Sequence, residues 1–217
     1  MNDADTKRPI APIAVFLSGG GRTLENLIKQ VALGDLAVDI RLVISSASAV
    51  RGVDIARAAS IPTRVVRKAE FASAESYRDA MFGPCREVGA QWIVMAGFLK
   101  HVLIPDDYLG RVINIHPSLI PAFSGEGMYG MKVHEAAVAR GVQFSGCTVH
   151  LVDNHYDQGP IVLQRICAVP AACTVQELAD RVFELECEAL PEAIRRVTGQ
   201  ELDKHDRTAG GQSQATS

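Results

Sequence analysis

Short runs of apolar residues recur along the chain, and amphipathic stretches separate them. The runs are residues 13–17 (IAVFL), 40–45 (IRLVIS), 63–66 (TRVV), 92–96 (WIVMA) and 111–116 (RVINIH). Such alternation is typical of parallel strands joined by helical crossovers. The pattern therefore predicts an α/β fold with a doubly wound, mostly parallel sheet.

Two further strand-like runs, at 144–151 and 161–169, are joined by a turn-rich loop that contains Gly159-Pro160. Because strands this close in sequence commonly pair antiparallel, we expect an antiparallel addition at the later edge of the sheet. A C-terminal helix with Thr174 as its N-cap should then pack on the sheet. Its apolar positions recur at steps of three and four residues, at Val175, Leu178, Val182, Leu185 and Ala189.

Length and composition indicate one domain. The chain has 217 residues, 47% of them hydrophobic, which is enough to bury a single core over residues 13–200. Residues 1–12 are polar or interrupted by proline, and residues 201–217 lack apolar periodicity. We therefore expect a flexible N-terminal segment and a disordered tail.

Charge and hydropathy exclude several classes of function. The balance of 22 Lys+Arg against 25 Asp+Glu gives a formal net charge of -3, and basic residues do not cluster, which argues against nucleic acid as a ligand. No run reaches the roughly 18 apolar residues that a membrane span needs, and the start lacks a signal-peptide pattern. We expect a soluble, cytoplasmic protein.

The cysteines and histidines do not form a recognisable metal motif. The five cysteines are an odd number without CxxC spacing, which favours reduced, structural thiols, and Cys147 lies in a predicted strand as a core residue. The six histidines include no HExxH pattern. We expect a metal-free reaction.

His134, in the run VHEAAVA, is predicted on a helix surface or in a substrate loop, and Met128 to Met131 in a mobile loop.

A glycine-rich turn, SGGGRT at 18–23, follows the first strand and opens a helix. Such turns present unpaired backbone N–H groups to anions, and Arg22 adds a positive charge. A phosphate site is favoured over the alternative, a tight turn without a ligand. The second strand ends in Ser45-Ser46, where a dinucleotide fold would normally place an acid, so NAD is disfavoured.

The segment NIHPSLIP at 114–121 holds the most informative pair of polar residues. Asn114 and His116 are two residues apart on a strand and must face the same side, and Pro117 ends the strand where a doubly wound sheet presents its ligand crevice. The alternative is a core histidine with a turn-forming asparagine. The loop DNHYDQGP at 153–160 could bring Asp157 beside His116, although Asp and Asn are ordinary loop residues.

At this point the sequence resembles the phosphoribosylglycinamide formyltransferases, folate-dependent enzymes of purine biosynthesis, from about residue 13 to residue 198. The ordered motifs that carry the resemblance are the SGGG turn, AGFL at 96–99, NIHPSLIP at 114–121, GMYGMKVHEA at 127–136, SGCTVH at 145–150 and DQGPIVLQ at 157–164. The resemblance implies a Rossmann-like formyltransferase fold, 10-formyltetrahydrofolate as co-substrate and no metal.

The resemblance also implies roles for individual residues. Asn114, His116 and Asp157 would be catalytic, with Asp157 favouring an imidazolium form of His116 and positioning a water that relays the proton. The acceptor substrate would contact Gly20, Gly21, Arg22, Thr23, Pro117 and Glu186, with its ribose phosphate at the turn. The folate would contact Leu99, Lys100, His101, Val102, Asn114, Asp153, Asn154, His155, Tyr156 and Asp157.

The sequence departs from the family pattern at several positions and leaves other functions open. Arg22-Thr23 replaces a small residue followed by Asn, and Ala74 and Ala122 stand where basic residues are common. The alternatives are a formyltetrahydrofolate hydrolase, a formyltransferase for an amino sugar or aminoacyl-tRNA, and a non-catalytic folate- or nucleotide-binding regulator. The expected partners are small molecules, with a homodimer left open.

Overall fold

A seven-stranded sheet forms the centre of the computed structural model, which describes residues 10–200. The segments 1–9 and 201–217, which include most of the predicted flexible ends, lie outside the described residues. The strands are β1 (Ala11–Leu17), β2 (Val38–Ser45), β3 (Thr63–Val65), β4 (Trp92–Met95), β5 (Val112–His116), β6 (Phe144–Leu151) and β7 (Ile161–Ala168). All seven were predicted, within two residues at each end.

The strand order is β3-β2-β1-β4-β5-β6-β7. Strands β1 to β5 pair in parallel, whereas β5–β6 and β6–β7 are antiparallel. This confirms the doubly wound sheet with an antiparallel edge. Strand β1 begins at Ala11, two residues before the predicted start, because Ala11 and Pro12 already pair with β2 at Val38 and Asp39.

Five helices cover the sheet: α1 (Arg22–Ala32), α2 (Arg51–Ala58), α3 (Ala74–Glu87), α4 (Met131–Arg140) and α5 (Val175–Val197). Short 3-10 turns occur at Lys68–Glu70 and Asp106–Tyr108. Alternate residues of β1 enter different clusters: Ile13 and Val15 pack with α1 and α5, whereas Phe16 packs with α3. Burial on both faces explains why β1 is continuously apolar.

Helix α5 begins as the sequence predicted. Thr174 is its N-cap, and the Thr174 hydroxyl accepts a hydrogen bond from the Glu177 N–H at 3.2 Å. Glu177 accepts one in return from the Thr174 N–H at 2.8 Å, which completes a capping box. None of the helices in the described part of the chain has the length and apolar character to cross a membrane.

Candidate active site

A cavity of about 390 Å³ lies at the carboxyl ends of β1, β4 and β5. Ligands of doubly wound folds bind at this edge of the sheet. A smaller cavity of about 200 Å³ adjoins it and is lined by residues 19–23, Ala96, Gly97 and Phe183. The predicted phosphate turn and the NIHPSLIP segment therefore face neighbouring spaces.

Asn114 and His116 both line the larger cavity, as their spacing on β5 requires. His116 is buried, with 4% of its surface exposed. Antiparallel pairing with β6 places His150 opposite Asn114, and the Asn114 Nδ2 atom lies 3.2 Å from His150 Nε2. Asp157 enters from the loop after β6, 3.6 Å from His116 Nδ1 and 3.6 Å from His150 Nε2. The structure therefore brings Asn114, His116 and Asp157 together around His150.

The hydrogen-bond partners of the two histidines indicate their tautomers. His116 Nε2 lies 2.8 Å from the Phe123 carbonyl oxygen, which can only accept, so Nε2 carries the proton. By the same argument His150 Nδ1 donates to the Leu151 carbonyl at 2.9 Å. In its neutral form His150 therefore accepts from the Asn114 amide, which fixes the orientation of that amide.

Burial determines the charge of His116, and the resulting charge state differs from the imidazolium expected from the sequence. It lowers the pKa of the imidazole below its ordinary value, and the opposing effects of Asp157 and the Phe123 carbonyl do not outweigh it. The expected imidazolium is therefore not the resting form at neutral pH. The unprotonated Nδ1 faces Asp157 beyond hydrogen-bond distance, so a proton gained there would close the gap with a charge-assisted hydrogen bond.

Asp157 is held as a carboxylate by its neighbours. Burial raises its pKa, but His150, the Gly125 N–H at 2.9 Å and His116 together outweigh burial, so the pKa lies below its ordinary value. The backbone of Asp157 has a φ of 53°, a left-handed conformation uncommon for a side-chain-bearing residue. The fold thus holds a strained, ionised carboxylate beside two histidines.

The position of Asp157 depends on Gly159. A Cβ atom at Gly159 would lie 1.8 Å from the Leu151 carbonyl oxygen, so Gly159→Ala must push the loop away from β6. We expect kcat to fall at least about 10-fold and stability to fall by about 1–3 kcal/mol. Gly83→Ala, in α3 with open space around the added methyl group, is the control and should keep parental kcat, with a melting temperature equal to or above that of the parent. Parental kcat in Gly159→Ala would contradict the assignment.

Apart from Asn114, the predicted folate residues fall on two segments that contact each other beside the larger cavity. Leu99, Lys100, His101 and Val102 lie on one, and Asp153, His155, Tyr156 and Asp157 on the other. The His101 and Tyr156 rings contact each other, with centroids 4.9 Å apart. Asn154 does not line the cavity. Its side-chain oxygen instead accepts from the Ile104 N–H at 2.8 Å, which ties the two segments together.

The larger cavity is also lined by the predicted acceptor residues Arg22, Thr23, Pro117 and Glu186, while Gly20 and Gly21 line the smaller cavity. Burial raises the pKa of the Glu186 carboxyl to about 7, and the Arg22 charge opposes the shift.

Two expectations for neighbouring residues need correction. Met131 is the first residue of α4 rather than part of the loop. His134 lies on α4 but is not at its surface: it is 6% exposed and lines the cavity. Its Nδ1 atom has no hydrogen-bond partner among residues 10–200.

The cysteines fit the structural role predicted for them. All five are free thiols, and Cys147 is buried on β6, where burial raises its thiol pKa to about 12. A thiol with this pKa is a poor nucleophile at neutral pH. Within residues 10–200, no group of three or more His, Cys, Asp or Glu side chains has the arrangement of a metal site.

The sequence interpretation missed His150 and Phe183 as site residues. His150 ends the SGCTVH motif in a correctly predicted strand, but its place beside Asn114 depends on the register between β5 and β6. Phe183 lies on the predicted C-terminal helix, where an aromatic residue is ordinarily part of the core. Aligning the sequence of β5 with that of β6 as an antiparallel pair could have placed His150 opposite Asn114.

Comparisons with known proteins identify relatives of the whole described domain. Residues 11–194 match the formyl transferase family. The chain is 38% identical over 186 residues to the phosphoribosylglycinamide formyltransferase, chloroplastic, of Vigna unguiculata, a match that covers 84% of this chain. It is 35% identical over 189 residues to the human trifunctional purine biosynthetic protein adenosine-3.

The chain spans 59% of the length of the Vigna protein and 18% of the human one. Among solved structures, glycinamide ribonucleotide transformylase 1 from Symbiobacterium toebii superposes with a TM-score of 0.79 at 30% identity, covering 90% of this chain and 92% of that one. Phosphoribosylglycinamide formyltransferase from Coxiella burnetii superposes with a TM-score of 0.78 at 32% identity, covering 88% and 89%. The chain therefore belongs to the formyl transferase family.

Proposed function

We propose that this chain transfers a formyl group from 10-formyltetrahydrofolate to the amine of phosphoribosylglycinamide in de novo purine biosynthesis. The observation that carries the proposal is the cluster of Asn114, His116, His150 and Asp157, which lines the larger cavity. A glycine turn suited to phosphate lines the smaller cavity, and the His101–Tyr156 contact lies beside the larger one. An acceptor with its phosphate at the turn and a formyl donor beside His101 and Tyr156 would meet at Asn114.

Formyl transfer places two demands on the residues at this meeting point. Negative charge develops on the formyl oxygen when the amine attacks, and a neutral amide donor such as Asn114 stabilises it. The attacking amine must lose a proton, and the departing folate nitrogen must gain one. His116 takes up a proton at Nδ1, where Asp157 pairs with it, and Asp157 also positions a water that relays the proton.

The part of the cavity lined by the predicted folate residues has features that suit a pterin ring system. Leu99, Val102 and Val152 supply apolar surface, and Asp153 and His155 supply polar groups. Lys100 adds a positive charge on the same segment, suited to the carboxylates of a glutamate tail. A ligand of this kind binds in concave, mostly apolar sites with few polar groups, as here.

One assay tests the proposed function against its alternatives. The protein is incubated with 10-formyltetrahydrofolate, with and without phosphoribosylglycinamide, and formate and formylated product are measured. Formylation of this acceptor, and not of an amino sugar nucleotide or an aminoacyl-tRNA, is expected. Formate release without any acceptor would instead indicate a hydrolase. No turnover under either condition would indicate a binding protein.

The pKa of Glu186 predicts how binding of the acceptor varies with pH. If the ionised carboxylate contacts the acceptor, the KM for phosphoribosylglycinamide should fall ~10-fold between pH 6 and pH 8, because the pKa of about 7 lies between them. Glu186→Gln should raise KM at pH 8 and remove this dependence. A KM profile that is the same in parent and variant would contradict the contact.

The same shift makes an opposite prediction for stability. The folded protein holds the Glu186 proton up to about pH 7, whereas the ordinary value is 4.5, so this group destabilises the fold increasingly as pH rises from 4.5 to 7. Glu186→Gln should therefore raise the melting temperature at pH 8 by a few degrees, on the order of 1 kcal/mol, and not at pH 4. Equal melting temperatures at pH 8 would contradict the raised pKa.

The proposal also includes a cytoplasmic location and leaves a homodimer open. Five free thiols favour a reducing compartment, which supports placement in the cytoplasm. A homodimer stays a prediction, and analytical ultracentrifugation of the full chain would test it.

A further inference from the structure

Arg22, the first residue of α1, has an unusual partner for a residue beside a phosphate-type turn. Its guanidinium carbon lies 3.6 Å from the centroid of the Phe183 ring on α5, a cation–π contact. An Arg22 nitrogen also lies 3.7 Å from an Asp180 carboxylate oxygen. Arg22 and Phe183 each line both cavities, so this contact forms the border between them.

These contacts position the Arg22 charge without consuming its donors. The Arg22 side chain is 50% exposed, and its 3.7 Å pair with Asp180 is an exposed contact too long for a hydrogen bond. The ring of Phe183 restricts the guanidinium from one face and leaves the N–H groups in its plane available. Within the described part of the chain, Arg22 is the one Lys or Arg that lines the smaller cavity.

The turn itself supplies neutral donors but no charge. Gly21 is the N-cap of α1 with a φ of 73° and has no side chain to cap the helix, so the first N–H groups of α1 lack a side-chain cap beside the smaller cavity, which Gly21, Arg22 and Thr23 line. Gly21 also packs against Gly52, where a Cβ on Gly21 would lie 2.5 Å from Gly52 Cα, so the turn has little room to move. The two carboxylates near Arg22, Asp180 and Glu186, would repel an anion.

We propose that Arg22 is the residue that selects a phosphorylated acceptor, and that Phe183 and Asp180 are the residues that position it. The inference rests on the proposed function, and it adds the means by which this chain distinguishes a phosphate ester from the unphosphorylated riboside. Phe183 holds the guanidinium at the mouth of the turn. Asp180 pairs with it in the free protein, and the phosphate replaces Asp180 on binding.

Four variants test this arrangement. Arg22→Met removes a charge-assisted contact and should raise the KM for phosphoribosylglycinamide ~10- to 100-fold with kcat within about twofold. Phe183→Leu removes the ring and should raise KM ~3- to 10-fold, while Phe183→Tyr, which keeps a ring, should raise KM less than Phe183→Leu. Asp180→Asn should lower KM ~2- to 5-fold, because the competing carboxylate is gone.

The matched control for Asp180→Asn is Glu184→Gln. Glu184 is an exposed carboxylate one turn further along α5, outside both cavities, and its loss should leave KM unchanged. The discriminating ratio is kcat/KM for phosphoribosylglycinamide over that for glycinamide riboside, which Arg22→Met and Phe183→Leu should reduce ~10-fold or more and ~3-fold or more, respectively. Parental ratios in both variants would overturn the inference.

Binding of inorganic phosphate, measured by calorimetry on the same proteins, keeps this inference separate from the proposed function. Phosphate should bind more weakly to Arg22→Met and Phe183→Leu, and more tightly to Asp180→Asn. If these shifts occur but the parent formylates no acceptor, the phosphate site stands and the proposed function fails. If the parent is active but correctly folded Arg22→Met and Phe183→Leu bind phosphate like the parent, the inference fails and the function stands.

Discussion

His116→Ala should lower kcat for formyl transfer by at least about 10³ at neutral pH, with the protein still folded. His116 touches both the reacting space and Asp157, so its loss removes a proton carrier and leaves Asp157 without a partner on that side. The contribution of His116 to stability is smaller than its contribution to catalysis. The hydrogen bond from Nε2 to the Phe123 carbonyl accounts for about 1 kcal/mol.

A second variant separates the chemical role of His116 from its hydrogen bond to the loop. His116→Gln keeps an amide donor for the Phe123 carbonyl but has no group that can take up a proton. We expect it to have a melting temperature closer to the parent than His116→Ala and a kcat equally low. Stopped-flow or steady-state kinetics and thermal unfolding check both. A kcat within 10-fold of the parent in either variant would rule out His116 as the proton carrier.

Local sequence patterns were sufficient for the fold. The strands are short apolar runs whose ends are marked by glycine, proline and serine. Along β1, alternate residues belong to the clusters on the two faces of the sheet, so the whole strand is buried. The start of α5 followed from Thr174, because an N-cap depends on residues within one turn, and the structure adds the capping-box partner Glu177. Such signals need no knowledge of distant contacts.

The geometry of the candidate site depended on contacts that the sequence does not encode locally. The spacing of Asn114 and His116 predicted that they share a face, but the contact between Asn114 and His150 requires the register of two strands 36 residues apart. Asp157 reaches the site through a loop conformation with positive φ that an aspartate rarely adopts. Its presence near His116 was a hypothesis from the combination of motifs, and the structure brings the two together.

Charge states were the least predictable feature. From the sequence, a nearby carboxylate would favour an imidazolium at His116, but burial of His116 has the larger effect on its pKa and lowers it. His134 is a similar case, since a polar residue on an amphipathic helix is buried against the cavity. Burial is a property of packed tertiary structure, which explains why periodicity could not anticipate either result.

Asn114→Ala should lower kcat by about 10²–10³ while 10-formyltetrahydrofolate still binds, because the amide stabilises charge that develops only during the reaction. Asn114 is partly buried at the end of β5, and its methyl replacement should pack without unfolding the strand. Isothermal calorimetry for the folate and steady-state kinetics for the transfer check the two halves of this prediction. A variant that unfolds would support a packing role instead.

A substitution at His150 measures how much of the kcat loss in Asn114→Ala comes from the orientation of the Asn114 amide. His150→Phe keeps an aromatic ring but removes the acceptor that holds the Asn114 amide at 3.2 Å, and should lower kcat about 10-fold. If His150 acts through Asn114, the double variant should be no slower than Asn114→Ala alone, since an absent amide cannot be misoriented. A double variant whose loss equals the product of the two single losses would show that His150 acts through another group, and Asp157, 3.6 Å away, is the one in reach.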